Sequence, residues 1–162
     1  MHNEISIFEN IVRKAYKYTD ETDGHNQIHP FEERNIHELV KNISINLFDN
    51  GHYAQASFET WKLIDKIVKQ ISGSSETGFK LMMSVLSETN PIIKINDLKT
   101  ESNKDEQKGF QFLFAGGVMA IRNPRGHEIN VKDDPDTCLD HLSFASYLIR
   151  KLLDAGYNIN SF

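Results

Sequence analysis

Cysteine is almost absent from this chain, because Cys138 is the only one among its 162 residues. A single thiol excludes an internal disulfide and any zinc site built from several cysteines. The apolar runs are short, far below the roughly 20 residues that a membrane-spanning helix needs. The first residues, Met1-His2-Asn3-Glu4, lack the basic stretch and apolar core of a secretory signal. We therefore expect a cytoplasmic protein with no membrane contact.

Positive charge is also scarce, and the net charge is −5 with histidine neutral. This balance excludes a protein that coats nucleic acid over a broad basic face, but it allows a small cationic cleft. A phosphate-binding glycine loop is missing too, because Gly73-Ser74-Ser75 and Gly116-Gly117 lack the required lysine. We therefore expect any nucleic acid to be held locally, over a few phosphates.

Apolar side chains recur three and four positions apart along most of the chain, which is the period of a helix buried on one face. The pattern predicts helices over about residues 4–18, 32–49, 52–72, 76–87, 106–121 and 135–155. The polar residues 96–107 are predicted to form an exposed loop. The expected fold is all-α, an up-and-down bundle of five to six helices. Two parts are predicted: an N-terminal amphipathic helix and polar loop, residues 1–27, and a helical domain, residues 28–162.

Several residues that could carry chemistry are better explained by structural roles. Trp61 and Phe58 lie on an apolar helical stripe, so we expect core packing rather than a platform for stacked bases. Cys138 is expected to be a small buried hydrophobe, and His141 a surface or bundle residue. Gly116-Gly117, inside a predicted helix, indicates the close approach of another helix.

The residues that carry chemistry are concentrated in one stretch, Arg122-Asn123-Pro124-Arg125-Gly126-His127, directly after an apolar run. Arginine binds phosphate through a planar fork that is permanently charged. Histidine titrates close to neutral pH, so it can accept or donate a proton. Together these side chains would hold a phosphodiester and move a proton on it without a metal or cofactor.

The order arginine, four residues beginning with a polar one, then histidine resembles the motif of the HEPN superfamily. The run Gly109-Phe110 through Leu113-Phe114-Ala115-Gly116-Gly117 to the motif is similar to its Ymh-type branch, found around phages and bacterial defence loci. His29-Pro30, Gly51-His52-Tyr53-Ala54 and Gly78-Phe79-Lys80-Leu81-Met82 match that branch in the same order, so the resemblance covers about residues 28–155.

This resemblance implies a helical bundle and a metal-independent endoribonuclease that acts as a toxin or defence effector. It also implies a homodimer in which the two motifs face a composite cleft, and an antitoxin or activator as a further partner. On that hypothesis Arg122 and His127 are the catalytic pair, and Asn123 and Arg125 bind or support the RNA. The expected substrate is single-stranded RNA, cleaved to a 2′,3′-cyclic phosphate and a 5′-hydroxyl.

The catalytic hypothesis makes one structural demand. Positions five apart on a straight α-helix point about 140° away from one another, so Arg122 and His127 do not share a face. Pro124 and Gly126 are therefore expected to kink or break the helix. Pro124 also predicts a non-helical Asn123.

Alternatives remain open for the whole motif and for its supporting residues. The chain is either an enzyme or a non-catalytic HEPN-type module that binds nucleic acid or a partner protein. A third possibility is a structural helical dimer in which the motif caps a helix. Asn123 has the alternative of satisfying a backbone group, and Arg125 that of a solvated loop charge.

Overall fold

The structure, a computed structural model, describes residues 8, 11–13, 15, 28–128 and 130–159. Within these residues the chain forms a bundle of seven α-helices and contains no strand, so the all-α prediction is confirmed. The helices are α1 Pro30–Glu33, α2 Glu38–Asp49, α3 Tyr53–Ser72, α4 Gly78–Val85, α5 Glu101–Gly117, α6 Asn123–His127 and α7 Pro135–Asp154. A π-helical segment, Val118–Arg122, joins α5 directly to α6.

The predicted N-terminal helix lies mostly outside the described residues, as does the polar loop that follows it. Its described residues, Phe8, 11–13 and Ala15, are helical. Arg13 forms an exposed ion pair of 3.5 Å with Asp136 of α7. The division at residue 27 stays a prediction.

Helix α5 begins earlier than the sequence pattern predicts. Thr100 accepts a hydrogen bond from the backbone N–H of Asn103, so it caps a helix that starts at Glu101. The predicted loop over residues 96–107 is therefore wrong for its second half. Gln107 is fully buried there, where its side chain bonds the carbonyls of Leu86 and Ile93.

Helix α3 is the centre of the bundle and packs against α2, α4, α7 and the π-helical segment. Asn50 and Gly51 end α2, and α3 follows as its antiparallel neighbour across the short link. Trp61 on α3 is completely buried and packs on Phe144 of α7, which confirms the core interpretation. None of the described helices has the length and apolar character needed to cross a bilayer.

A very close contact between helices lies at Gly117, the last residue of α5. A Cβ atom added to Gly117 would lie 1.9 Å from the Trp61 ring, whereas one on Gly116 would meet nothing within 4 Å. The tight packing predicted for the glycine pair is thus confirmed at Gly117 alone. Only glycine lets the Trp61 indole lie against the backbone here.

We expect Gly117→Ala to destabilise the protein by about 1–3 kcal/mol, because an added methyl forces the Trp61 ring out of its position. The matched control is Gly116→Ala, which enters open space and should stabilise the helix by about 1 kcal/mol. Urea unfolding of the two variants measures both changes. Equal effects at the two positions would contradict the packing described for Gly117.

Candidate functional site

The arginine–histidine motif lies on a helix that continues without a break. Asn123 has helical backbone angles, φ −65° and ψ −45°, so the predictions of a non-helical Asn123 and of a helix break are wrong. The Asn123 N–H bonds the Val118 carbonyl, which is the wider spacing of a π-helix. Pro124 thus enters in the first turn of α6, where a missing N–H costs little. The helix ends at His127, and Glu128 is extended.

Gly126 fixes the end of this helix against α3. A Cβ atom on Gly126 would lie 2.8 Å from the Phe58 ring, so the ring packs against bare backbone. Phe58 itself is half-buried, and the Lys62 Nζ lies over its ring, 5.3 Å from the ring centre. Gly126 therefore serves close packing of the end of α6 against α3.

Arg122 and His127 consequently lie on one helical segment but point to different sides of it. The Arg122 side chain is half-buried and faces α4, since its Nη1 would lie 3.8 Å from a Cβ on Gly78. His127 is exposed at the end of α6. An ideal α-helix would separate positions five apart by about 140°, and the different neighbours of the two side chains agree with such a divergence. Within one chain, the helix geometry does not bring the two side chains together.

Arg122 has the electrostatic character of an anion-binding residue. Its Nε is buried without a hydrogen-bond partner, and its Nη1 donates to Asn123 Oδ1 at 3.3 Å. No carboxylate of the described residues forms an ion pair with it. The neighbouring Gly78 begins α4, whose N-terminus carries partial positive charge. Asp65 meets that terminus by accepting the Gly78 N–H at 2.5 Å.

Arg125 forms a buried ion pair that the sequence did not predict. Its Nε and Nη2 donate to the two carboxylate oxygens of Asp133 at 2.7 and 2.5 Å, and its Nη1 donates to the Ile121 carbonyl at 2.8 Å. The side chains of the pair are only 9% and 4% exposed, so the solvated loop charge is wrong. At most two of its five N–H groups remain for a phosphate, and the predicted RNA contact of Arg125 stays untested.

A buried polar cluster beside this ion pair was missed at the sequence level. His141 Nδ1 lies 3.1 Å from Ser57 Oγ and 3.8 Å from Asp133 Oδ2. The same ring nitrogen faces both groups, whereas a catalytic triad uses opposite nitrogens, and Ser57 is fully buried. The cluster therefore links α3, α7 and the loop between α6 and α7. Ser57 and His141 lie in register with the buried stripes of their helices, so the sequence pattern could have predicted their burial. Asp133 lies in a loop, where no such pattern indicates burial.

Cys138 lies in the same region and is confirmed as a buried residue. Burial raises the pKa of its thiol to about 12, so the thiol stays protonated at neutral pH. A shallow concavity of about 440 Å³ opens to solvent beside the end of α6. It is lined by His127, Glu128, Asn130 and Val131. The described residues contain no group of three or more side chains arranged to hold a metal ion.

Acidification should destabilise the protein through His141. Burial, and after it the positive charge of Arg125, lowers the pKa of His141 below its usual value. The unfolded chain then binds the proton more readily, so stability present above about pH 6.5 is lost as the pH falls through the folded pKa. His37 contributes in the same direction, because burial also lowers its pKa.

Denaturant unfolding between neutral and mildly acidic pH measures this dependence. His141→Gln should flatten the fall in unfolding free energy, whereas the exposed control His52→Gln should leave it unchanged. An identical slope in the His141 variant and the wild type would show that His141 does not titrate with folding.

Comparison with known proteins gives one match. A family model described as "Protein of unknown function (Hypoth_ymh)" matches residues 34–152, which includes the bundle from α2 to α7 and the whole motif. No curated protein and no solved structure matches the chain. The match covers more than half of the sequence and agrees with the Ymh-type resemblance, whereas the wider HEPN assignment rests on the motif alone. The chain belongs to the Hypoth_ymh family.

Proposed function

We propose that this protein is a metal-independent endoribonuclease in which Arg122 binds the scissile phosphate and His127 transfers a proton. The observation that carries the proposal is the state of Arg122. Its guanidinium is half-buried, its Nε lacks a partner, and no described carboxylate neutralises it. The Nε has no access to solvent, so a phosphate would be bound through the terminal amino groups of the guanidinium and would supply the missing negative charge. His127 is exposed on the same helical segment and has an open concavity beside it.

The chemistry follows from these two groups. His127 removes the proton of the ribose 2′-OH, the 2′-oxygen forms a bond to phosphorus, and the bond to the 5′-oxygen breaks. The protonated His127 then gives this proton to the leaving 5′-oxygen, so His127 ends the step neutral. Arg122 stabilises the charge that develops on the non-bridging oxygens. The products are a 2′,3′-cyclic phosphate and a 5′-hydroxyl. Single-stranded RNA suits in-line attack, and DNA lacks the nucleophile.

The divergence of Arg122 and His127 within one chain favours a site shared between two copies. In that arrangement Arg122 of one copy and His127 of the other face the same phosphate across a homodimer cleft. The HEPN resemblance implies the same arrangement. It also provides the expected role as a toxin or defence effector, together with an antitoxin or activator, and these remain part of the proposal.

We place the dimer contact on an exposed apolar face formed by α5 and the π-helical segment. Its members recur at helical spacing and all are exposed: Gly109, Phe112, Leu113, Gly116, Met119 and Ala120. Three of them are small, which permits close approach of a second helix. None is charged, so two acidic copies would meet there without facing like charges. The face ends two residues before Arg122.

The last helix is the less suitable contact surface. Its outward residues include Asp136, Asp140 and Asp154, and the first two already form ion pairs with Arg13 and Arg34, so this surface is polar rather than apolar. Tyr147 is its only large hydrophobic residue exposed in the described chain. We therefore favour the face on α5 over the last helix, α7, as the dimer contact.

A non-catalytic HEPN-type binding module is the second candidate function. The same divergence of Arg122 and His127 favours it, because phosphate binding needs only the arginine. Such a module would hold RNA through Arg122 and would require no proton transfer. Loss of His127 would then leave its RNA affinity unchanged.

His127→Ala should lower the rate of RNA cleavage by about 10²–10⁴-fold, since that is the usual contribution of a general acid or base. The assay uses purified protein with EDTA and tests the products for a 2′,3′-cyclic phosphate. His52→Ala, which removes another exposed histidine, is the matched control and should cleave normally. RNA binding without cleavage, lost in Arg122→Ala and kept in His127→Ala, would support the binding module instead.

Met119→Asp should convert the dimer to a monomer, because a carboxylate at the centre of an apolar contact is costly to bury. Tyr147→Asp on α7 is the matched control, since the two side chains are 52% and 51% exposed. Light scattering measures the mass of both. A monomer from the Tyr147 variant alone would assign the contact to α7.

Mixing Arg122→Ala with His127→Ala tests whether the site is shared. In a composite site the mixed dimer regains one intact arginine–histidine pair, so part of the activity should return. Mixtures that stay inactive, made from variants that each form dimers, would show that each site is built within one chain.

A further inference from the structure

We propose that Arg125 and Asp133 form a positioning pair that orients His127. This inference deepens the proposed function and rests on it. The pair joins α6, whose last residue is His127, to the loop before α7, and Glu128, Asn130 and Val131 of that loop line the concavity beside His127. The pair therefore determines where the proton-transferring imidazole lies relative to the bundle.

The geometry of the pair is that of a rigid clamp. Both carboxylate oxygens of Asp133 accept hydrogen bonds from Arg125, at 2.7 and 2.5 Å, in parallel fork geometry. A third bond, from Arg125 Nη1 to the Ile121 carbonyl at 2.8 Å, ties the guanidinium to the preceding turn. The fork fixes the direction of both side chains as well as their distance. A single bond to a lysine would fix only the distance.

The clamp is anchored to the body of the bundle on both sides. Asp133 lies 3.8 Å from His141 on α7, and His141 lies 3.1 Å from Ser57 on α3. The next residue, Asp134, caps α7 by accepting the backbone N–H of Thr137 at 2.8 Å. A loop end held by a helix cap and a buried fork has little freedom to move.

The remaining described attachments of the loop are few. Gly126 packs on Phe58, and the Glu128 N–H bonds the Pro124 carbonyl at 2.9 Å. The side chains of His127, Glu128 and Lys132 are exposed. Among the residues that the structure describes in this loop, none other than these forms a bond to the bundle. Together with the Gly126 contact, the fork between Arg125 of α6 and Asp133 therefore holds the end of the helix that carries His127.

Stability alone does not account for a buried ion pair at this position. Removing two charges from water costs about as much as their attraction returns, and well-packed apolar residues often replace such a pair without loss of stability. Directional bonding, in contrast, has no apolar substitute. The position of the pair next to the motif therefore favours a role in orientation.

The decisive variant is Arg125→Met combined with Asp133→Leu, which keeps the packing and removes the fork. Nitrogen-15 relaxation measures the backbone order of residues 127–132 in the whole protein. We expect order parameters above about 0.8 in the wild type and below about 0.6 in the double variant. Arg125→Lys, which keeps the charge without the fork, should fall between them and serves if the double variant does not fold. Glu88→Gln removes an exposed ion pair with Lys108 and should change nothing.

RNA cleavage supplies the second measurement. A misplaced His127 should lower kcat by about tenfold or more while KM stays the same, because the phosphate is still bound by Arg122. Equal loop order in the wild type, the double variant and the lysine variant overturns the proposal, whatever the activity. A disordered loop with unchanged kcat overturns it as well. If the wild type cleaves no RNA, the proposed function fails, while the relaxation data still decide whether the pair orders His127.

Discussion

The contact between the motif helix and α3 is the constraint on which the rest of the structure depends. The helical path from Glu101 to His127 touches α3 at two points where only glycine fits: Gly117 under Trp61, and Gly126 under Phe58. Two such contacts fix both the distance and the rotation of this path relative to the core. Since Arg122 lies between them, the direction of its side chain toward α4 is a consequence of core packing. The same rotation leaves the opposite face of α5 exposed.

Two arginines three positions apart illustrate how an acidic protein can hold one cationic position. Arg125 is neutralised by Asp133, and its charge is not available to a ligand at full strength. Arg122 is half-buried next to the positive end of α4, and Asp65 accepts the first N–H of that helix rather than pairing with the guanidinium. The net charge of −5 therefore describes the surface as a whole and not this position. Local attraction for an anion depends on which cations lack a partner.

Much of the bundle was predictable because helix periodicity reports burial directly. The stripe through Trp61, the link at Asn50-Gly51, and the buried Cys138 all follow from spacing and residue type. The early start of α5 was missed because its cap, Thr100, precedes a polar turn that exposes most of its side chains. Periodicity cannot detect a helix whose first turns contribute few apolar residues to the core.

The site was harder to predict, for two physical reasons. Proline statistics predict a break at Asn123, but the π-helical segment removes the conflict by widening the turn before Pro124. Asp133 belongs to a loop, and its pairing with Arg125 depends on where the chain returns, which no local pattern encodes. The sequence thus provided candidate residues with suitable chemistry, Arg122 and His127, and could not indicate how they are oriented. Orientation came from the packing of Gly117 and Gly126.

The unbroken helix changes what the motif can do in one chain. A kink would have gathered a phosphate-binding arginine and a proton-transferring histidine at one point, and catalysis would then have needed no partner. With the helix intact, Arg122 faces inward toward α4 while His127 faces solvent. An isolated chain with this geometry presents an arginine without an ionic partner and an exposed histidine at separate places. Under the function proposed above, a second copy would join them, so dimer formation through an uncharged helix face would itself control whether the site exists.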